Sequence, residues 1–133
     1  MPSPSHHTRP LIDDKVIADK SGMTADYVKK VFRHLENDGK GISCEQLEKF
    51  LKNASFSSDQ KSILDKVGPF VTNPTAAGLK SILKCLSNSD MQVYACEKMG
   101  KSWSRLNESE KDDVVSAIGF SNDKEKARKG LTH

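Results

Sequence analysis

The sequence is poor in cysteine, in long apolar runs and in charge of one sign, and each lack excludes something. Its three cysteines, Cys44, Cys85 and Cys96, are an odd and widely spaced set. They do not form a disulfide framework, so a reducing compartment is expected. No apolar run approaches membrane-spanning length, and the N-terminus lacks the apolar core of a signal peptide. An intracellular, non-secreted protein, cytoplasmic or nuclear, is the expectation. Net charge is +3 with 21 basic and 18 acidic residues, yet residues 1–23, 24–67, 68–96 and 97–133 each lie within about one charge of neutrality. A phosphate-binding surface concentrates its charge on one face or run, and this chain advertises none. No Cys/His pair has metal spacing, and Lys98-Met99-Gly100-Lys101 lacks the preceding glycine of a phosphate loop. No cofactor, metal or catalytic residue is assigned, and a non-enzymatic protein is expected.

What is present is a five-residue stretch that recurs. It reads Gly-Met-Thr-Ala-Asp at Gly22 to Asp26, Ser-Phe-Ser-Ser-Asp at Ser55 to Asp59 and Gly-Phe-Ser-Asn-Asp at Gly119 to Asp123, with a looser Leu-Ser-Asn-Ser-Asp at Leu86 to Asp90. The aspartates are 33, 31 and 33 residues apart. Each stretch reads as a helix start. The hydroxyl of Thr24, Ser57 or Ser121 is expected to cap the first turn, and the aspartate two places on suits the positive helix end. The apolar residue before the cap (Met23, Phe56, Phe120) is expected to pin the incoming chain.

Between these starts the apolar residues follow helical spacing. Residues 1–10 hold three of the five prolines and no periodicity, so they read as a disordered tail, with 11–133 as a single helical-repeat domain. A first helix is expected from Leu11, carrying Ile12, Val16, Ile17 and Ala18. At a period of 32 residues Phe50, Ile82 and Val114 superpose, as do Leu51, Leu83 and Val115, and Ala54, Leu86 and Ile118. In the second helix of each pair Val31, Ile63, Ala95 and Ala127 line up, and so do Leu35, Val67, Met99 and Leu131. The caps Ser43, Thr75 and Asn107 fall in register, and Gln46 and Glu110 complete capping boxes. Arg128 stands where Phe32, Leu64 and Cys96 stand, which fits a polar outer face on a terminal unit. The fold class expected is all-α: about eight short helices in four helix-turn-helix repeats of about 32 residues, stacked as a short array or compact bundle.

The units from Ile42 to Leu131 carry paired apolar residues (Phe50-Leu51, Ile82-Leu83, Val114-Val115) followed by Phe-Ser-x-Asp-like turns at Phe56 to Asp59 and Phe120 to Asp123. With Asn73-Pro74-Thr75 ahead of Ile82-Leu83-Lys84-Cys85, this layout resembles a domain of unknown function found near the N-terminus of animal proline- and serine-rich proteins and in some bacterial proteins. The middle turn departs from it, with Leu86-Ser87-Asn88 in place of Phe-Ser. The resemblance implies a helical module that contacts other proteins, and it brings no catalytic residues.

A protein–protein interaction or scaffold module, binding another protein or a peptide and no membrane, is therefore the first expectation. Phe70 and Trp103, just beyond successive second helices, either close the ends of the stack or anchor a partner. DNA binding is the second expectation. Ala18, Gly22, Val28 and Val31 sit at helix-turn-helix spacings, and the helix from Thr24 to Leu35 would present Lys29, Lys30 and Arg33 to a groove. Against it, Asp26 would face phosphates, and the same pattern recurs in every unit. The third is a degenerate EF-hand-like, calcium-responsive loop. Counting from Glu36, Asp38 is third and Gly41 sixth, but Lys40 is fifth and Leu47 stands where a bidentate glutamate belongs.

Overall fold

A computed structural model describes residues 10–20, 22–54, 56–99 and 106–131. The described residues form eight α-helices and no strand: α1 (Asp14–Ala18), α2 (Thr24–Asn37), α3 (Cys44–Lys52), α4 (Ser57–Val67), α5 (Ala76–Lys84), α6 (Ser89–Met99), α7 (Glu108–Val115) and α8 (Ser121–Leu131). A 3₁₀ turn, Gly68–Phe70, follows α4 where Gly68-Pro69 ends it. Each helix packs chiefly on the helix two places further along the chain. Thus α1, α3, α5 and α7 make one row, and α2, α4, α6 and α8 make another. The core lies between the rows.

The apolar register positions named above are buried apart from the half-buried Phe32, and Phe50, Ile82 and Val114 are each fully enclosed. One contiguous apolar cluster runs from Ile12 to Leu131. Enclosing a large side chain of this kind stabilises by roughly 1.5–3 kcal/mol, which explains why helices of five to fourteen residues, marginal in isolation, hold together here. The Tyr27 and Phe50 rings meet edge to face at 4.9 Å and lock α2 onto α3.

Helices α3, α5 and α7 begin as the sequence indicates. Ser43 and Gln46 form a reciprocal capping box, as do Asn107 and Glu110, and the Thr75 hydroxyl accepts from the Gly78 N–H. The even-numbered helices do not. Met23 and Phe56 occupy the capping positions of α2 and α4 with no side-chain cap, and Thr24 and Ser57 are already the first helical residues. Ser121 likewise opens α8 from inside the helix. The Ser57 hydroxyl instead accepts from Asn88 Nδ2 at 3.2 Å, across to the start of α6. The looser Asn88 turn does have a cap: its Oδ1 accepts the Met91 N–H at 2.9 Å.

The first helix is shorter than its apolar spacing suggests. Asp13 caps it by accepting from the Lys15 N–H, and Leu11 and Ile12 before it are extended. The Ile12 N–H donates to the Gly41 carbonyl at 2.8 Å, and the Gly41 N–H to the Pro10 carbonyl at 2.8 Å. The next linker repeats the device: Ile42 N–H to Phe70 O at 3.0 Å and Thr72 N–H to Ile42 O at 2.8 Å. These parallel bridges, Leu11 with Gly41 and Ile42 with Val71, lay the linkers into the odd helices side by side along one edge of the stack.

At the opposite edge, side-chain amides take the place of backbone bridges. Asn53 at the end of α3 donates to the Tyr27 hydroxyl at 3.2 Å, and that hydroxyl donates to the Ile17 carbonyl. Gln60 in α4 spans the ends of α3 and α5 and the start of α6. Gln92 in α6 donates to the Leu83 carbonyl at 3.0 Å. Arg128 is drawn onto α7, where it pairs with Glu108 and Asp112. A polar residue at that register position thus joins the last two helices.

Candidate interaction surface

The starts of the even-numbered helices all lie at the edge stitched by side-chain amides. There Met23 is 72% exposed, Phe56 73% and Phe120 67%. The pinning role expected from the sequence fails at all three. A staple needs an apolar partner four residues into the helix, and with Phe56 and Phe120 capping, that partner would be Gln60 or Lys124. Gln60 is committed to buried hydrogen bonds, and Lys124 is charged. The polar identity of those two residues was the signal in the sequence that these rings would stay outside. With Leu11, the three side chains are the large hydrophobics left exposed among the described residues. They form a broken line along one rim, interrupted at α6 by Asn88.

Phe70 lies in the 3₁₀ turn at the other edge. Its ring is half-buried against the core and sits edge-on to Phe32 at 6.1 Å, and its carbonyl accepts from Ile42 in the linker ladder. Trp103 lies outside the described residues, as does nearly all of the segment read as a tail.

The residues of the groove-reading helix are placed as follows. Lys29 and Arg33 are exposed on α2. Lys30 leans back instead, donating to the Asp19 carbonyl at 2.6 Å, 3.3 Å from its carboxylate, with the ammonium 5.6 Å from the Tyr27 ring centre. Ala18 is exposed at the end of a five-residue α1, so it does not fill the tight helix–helix contact that a helix-turn-helix asks of it. The chain after α2 enters the linker ladder rather than a wing.

The loop from Glu36 to Leu47 is also occupied by structural bonds. The Asp38 carboxylate lies 2.9 Å from His34 Nδ1 and accepts from it in the tautomer that carries the proton there. Gly41, the sixth position, is held between Pro10 and Ile12. Gln46 and Leu47 are buried. Among the described residues, no three His, Cys, Asp or Glu side chains converge as metal ligands.

The thiols divide by depth. Burial pushes Cys96 up to about 12, with Glu97 adding to it. Burial also raises Cys44 and Cys85, against a backbone hydrogen bond at Thr75 for Cys44 and the Lys52 ammonium for Cys85. Cys44 lines an open groove of about 520 Å³ between α3 and α5, together with Leu11, Glu48, Thr72 and Asn73. None of the three thiols is activated, since nothing beside it outweighs the cost of burying a thiolate.

A two-row all-α stack with a polar-stitched rim defines the class of protein. Residues 39–131 match the family model described as Domain of unknown function (DUF4476). That match covers more than half of the chain, and the chain belongs to this family. Comparison with curated proteins gives no match, and comparison with solved structures gives none.

Proposed function

We propose that this protein is a non-enzymatic interaction module whose contact surface is the rim bearing Met23, Phe56 and Phe120. The observation that carries the reading is the exposure of these three large side chains at equivalent helix starts. Scattered apolar residues on a surface are ordinary, but these three recur at one structural position along one edge, and that recurrence supports a contact role for the rim. Phe70 is the weaker contact candidate, because half of its ring is already used inside the fold. Trp103 keeps the candidacy the sequence gave it. The narrower resemblance, to the domain near the N-terminus of animal proline- and serine-rich proteins, belongs to this proposal. So does an intracellular location, supported by three free thiols. No helix among the described residues is long and apolar enough to cross a membrane.

The test is affinity capture from cells that express the protein, with and without nuclease, comparing the parent chain with Met23→Ser/Phe56→Ser/Phe120→Ser. The expected result is a protein partner retained after nuclease and lost with the variant. Loss of every partner on nuclease treatment would transfer the assignment to nucleic acid. In that event, Lys29→Ala/Lys30→Ala/Arg33→Ala should abolish a salt-sensitive duplex shift.

A further inference from the structure

We propose that α1 and α2 form an exchangeable cap on the family domain. The cap opens about the Asp38–Gly41 linker while α3–α8 stay folded, and the face it leaves accepts the same segment from a second copy of this chain.

The match to the family begins at residue 39, so α1 and α2 lie before it, and Asp38-Gly39-Lys40-Gly41 joins the two parts. Gly39 sits at φ +67°, with nothing within 4 Å of where a Cβ would stand. Its two glycines let this linker turn more freely than a helix or a packed loop. In a stacked array each unit is held by its neighbours alone. The inner helices have one on each side: α3 lies between α1 and α5, and α4 between α2 and α6. The cap has neighbours on one side only, with α1 packed on α3 and α2 on α4. The opposite end is braced further, since α7 and α8 pack on each other and Arg128 ties them together.

The cap also has bonds of its own. The Tyr27 hydroxyl donates to the Ile17 carbonyl, and the Lys30 ammonium to the Asp19 carbonyl at 2.6 Å. These tie α2 to the end of α1, so the two helices leave together.

The face beneath matches this segment in particular. Gln46 Nε2 donates to the Ile12 carbonyl and to Asp14 Oδ1, both at 2.7 Å. Asn53 donates to the Tyr27 hydroxyl at 3.2 Å, and Phe50 meets the Tyr27 ring. One and two repeats on, Gly78 and Glu110 stand where Gln46 does, and Cys85 and Ala117 where Asn53 does. The inner interfaces therefore lack these amides. Between α3 and α5 the helices close on a glycine instead, with Cys44 Sγ 2.6 Å from where a Cβ on Gly78 would stand. An occupant of the uncovered face has to bring a carbonyl and a carboxylate to Gln46, and a hydroxyl-bearing ring to Phe50 and Asn53. Residues 10–38 of a second copy bring all of these. Exchange of an element between identical chains needs a hinge and no new contact. Phe50 is fully enclosed when the cap is shut, so an open face is short-lived and refills from whichever copy is at hand.

The experiment uses the full chain. Native-state hydrogen exchange should show the Val31 and Leu35 amides in α2 exchanging at least about tenfold faster than those of Ile63 in α4 and Ala95 in α6. A fluorescent peptide of residues 10–38 should bind Tyr27→Ala/Val31→Asp, whose own cap is loosened, at least about tenfold tighter than the parent, where the tethered cap competes. The same peptide carrying both substitutions should not bind. Should the double variant unfold by circular dichroism, Tyr27→Ala alone takes its place, with a gain of about threefold expected. Equal protection of α2, α4 and α6 would overturn the separately opening cap. Equal binding of the peptide to parent and variant, or binding of the substituted peptide, would overturn exchange between copies.

Discussion

Gln60 is 3% exposed, and all four of its side-chain hydrogen-bonding positions are used. Its Nε2 donates to the Ala54 and Cys85 carbonyls at 3.1 and 3.3 Å, and its Oε1 accepts from the Ser87 N–H and hydroxyl at 3.0 and 2.8 Å. Gln60→Leu removes the amide and leaves those backbone groups unpaired, at about 1–3 kcal/mol for each group that finds no water. A loss of about 2–4 kcal/mol in urea unfolding is expected, larger than for any single exposed residue of the rim. Cys96 gives a second residue-scale prediction. Its pKa is raised from 9.0 to about 12 in the folded protein, so the unfolded chain releases the thiol proton first as pH rises. This contribution to stability is complete below pH 9, declines above it, and is lost by about pH 12. Cys96→Ala should flatten the fall of Tm above pH 9. In the parent at pH 8, a thiol reagent should label Cys44 and Cys85 before unfolding and Cys96 only after it. The sequence register placed Cys96 in the core, but it offered no hint of Gln60, which stands one period from Val28 and has partners fixed only by folding.

Helix ends show which local signals survive in the fold. Asn107→Ala and Ser43→Ala each remove a side-chain cap present in the structure and should cost about 1 kcal/mol. Thr24→Ala removes no cap bond, and its effect on Tm should be within error. The recurring five-residue stretch was legible as four helix starts. Its capping chemistry was not, because a hydroxyl at the first helical position and one at the cap differ by a single residue of phase. Gly130 belongs to the same scale. In isolation a glycine inside α8 weakens the helix by about 1 kcal/mol relative to alanine. Here a Cβ on Gly130 would lie 2.9 Å from the Glu97 backbone in α6. Backbone cannot yield as a flexible side chain can, so Gly130→Ala should destabilise by about 1–3 kcal/mol despite its better propensity. Chemical denaturation decides the sign: a gain in stability would mean that α6 and α8 do not approach as described.

Over the whole molecule, the residues proposed for contact are not those that hold the core. Phe50 is enclosed between the rows, and Phe50→Ala should cost about 3–5 kcal/mol. Phe56, six positions later, is largely in solvent, and Phe56→Ser should leave Tm within about 2 °C of the parent while weakening partner binding. Thermal melts of the two variants side by side test this separation. If Phe56→Ser were as damaging as Phe50→Ala, the rim would be part of the core and the interaction reading would lose its support.

The all-α class, the helix count and the buried stripes were determined by the sequence alone, because a 3.6-residue periodicity needs only local geometry to become a helix with an apolar face. The tertiary structure decided the rest. Which linkers pair through backbone bridges, which glutamine spans three helix ends and which apolar residues remain in water depend on neighbours about thirty residues away. Met23, Phe56 and Phe120 show the difference: their chemistry favours burial, and only the packing of one helix on the next leaves them nothing to be buried against.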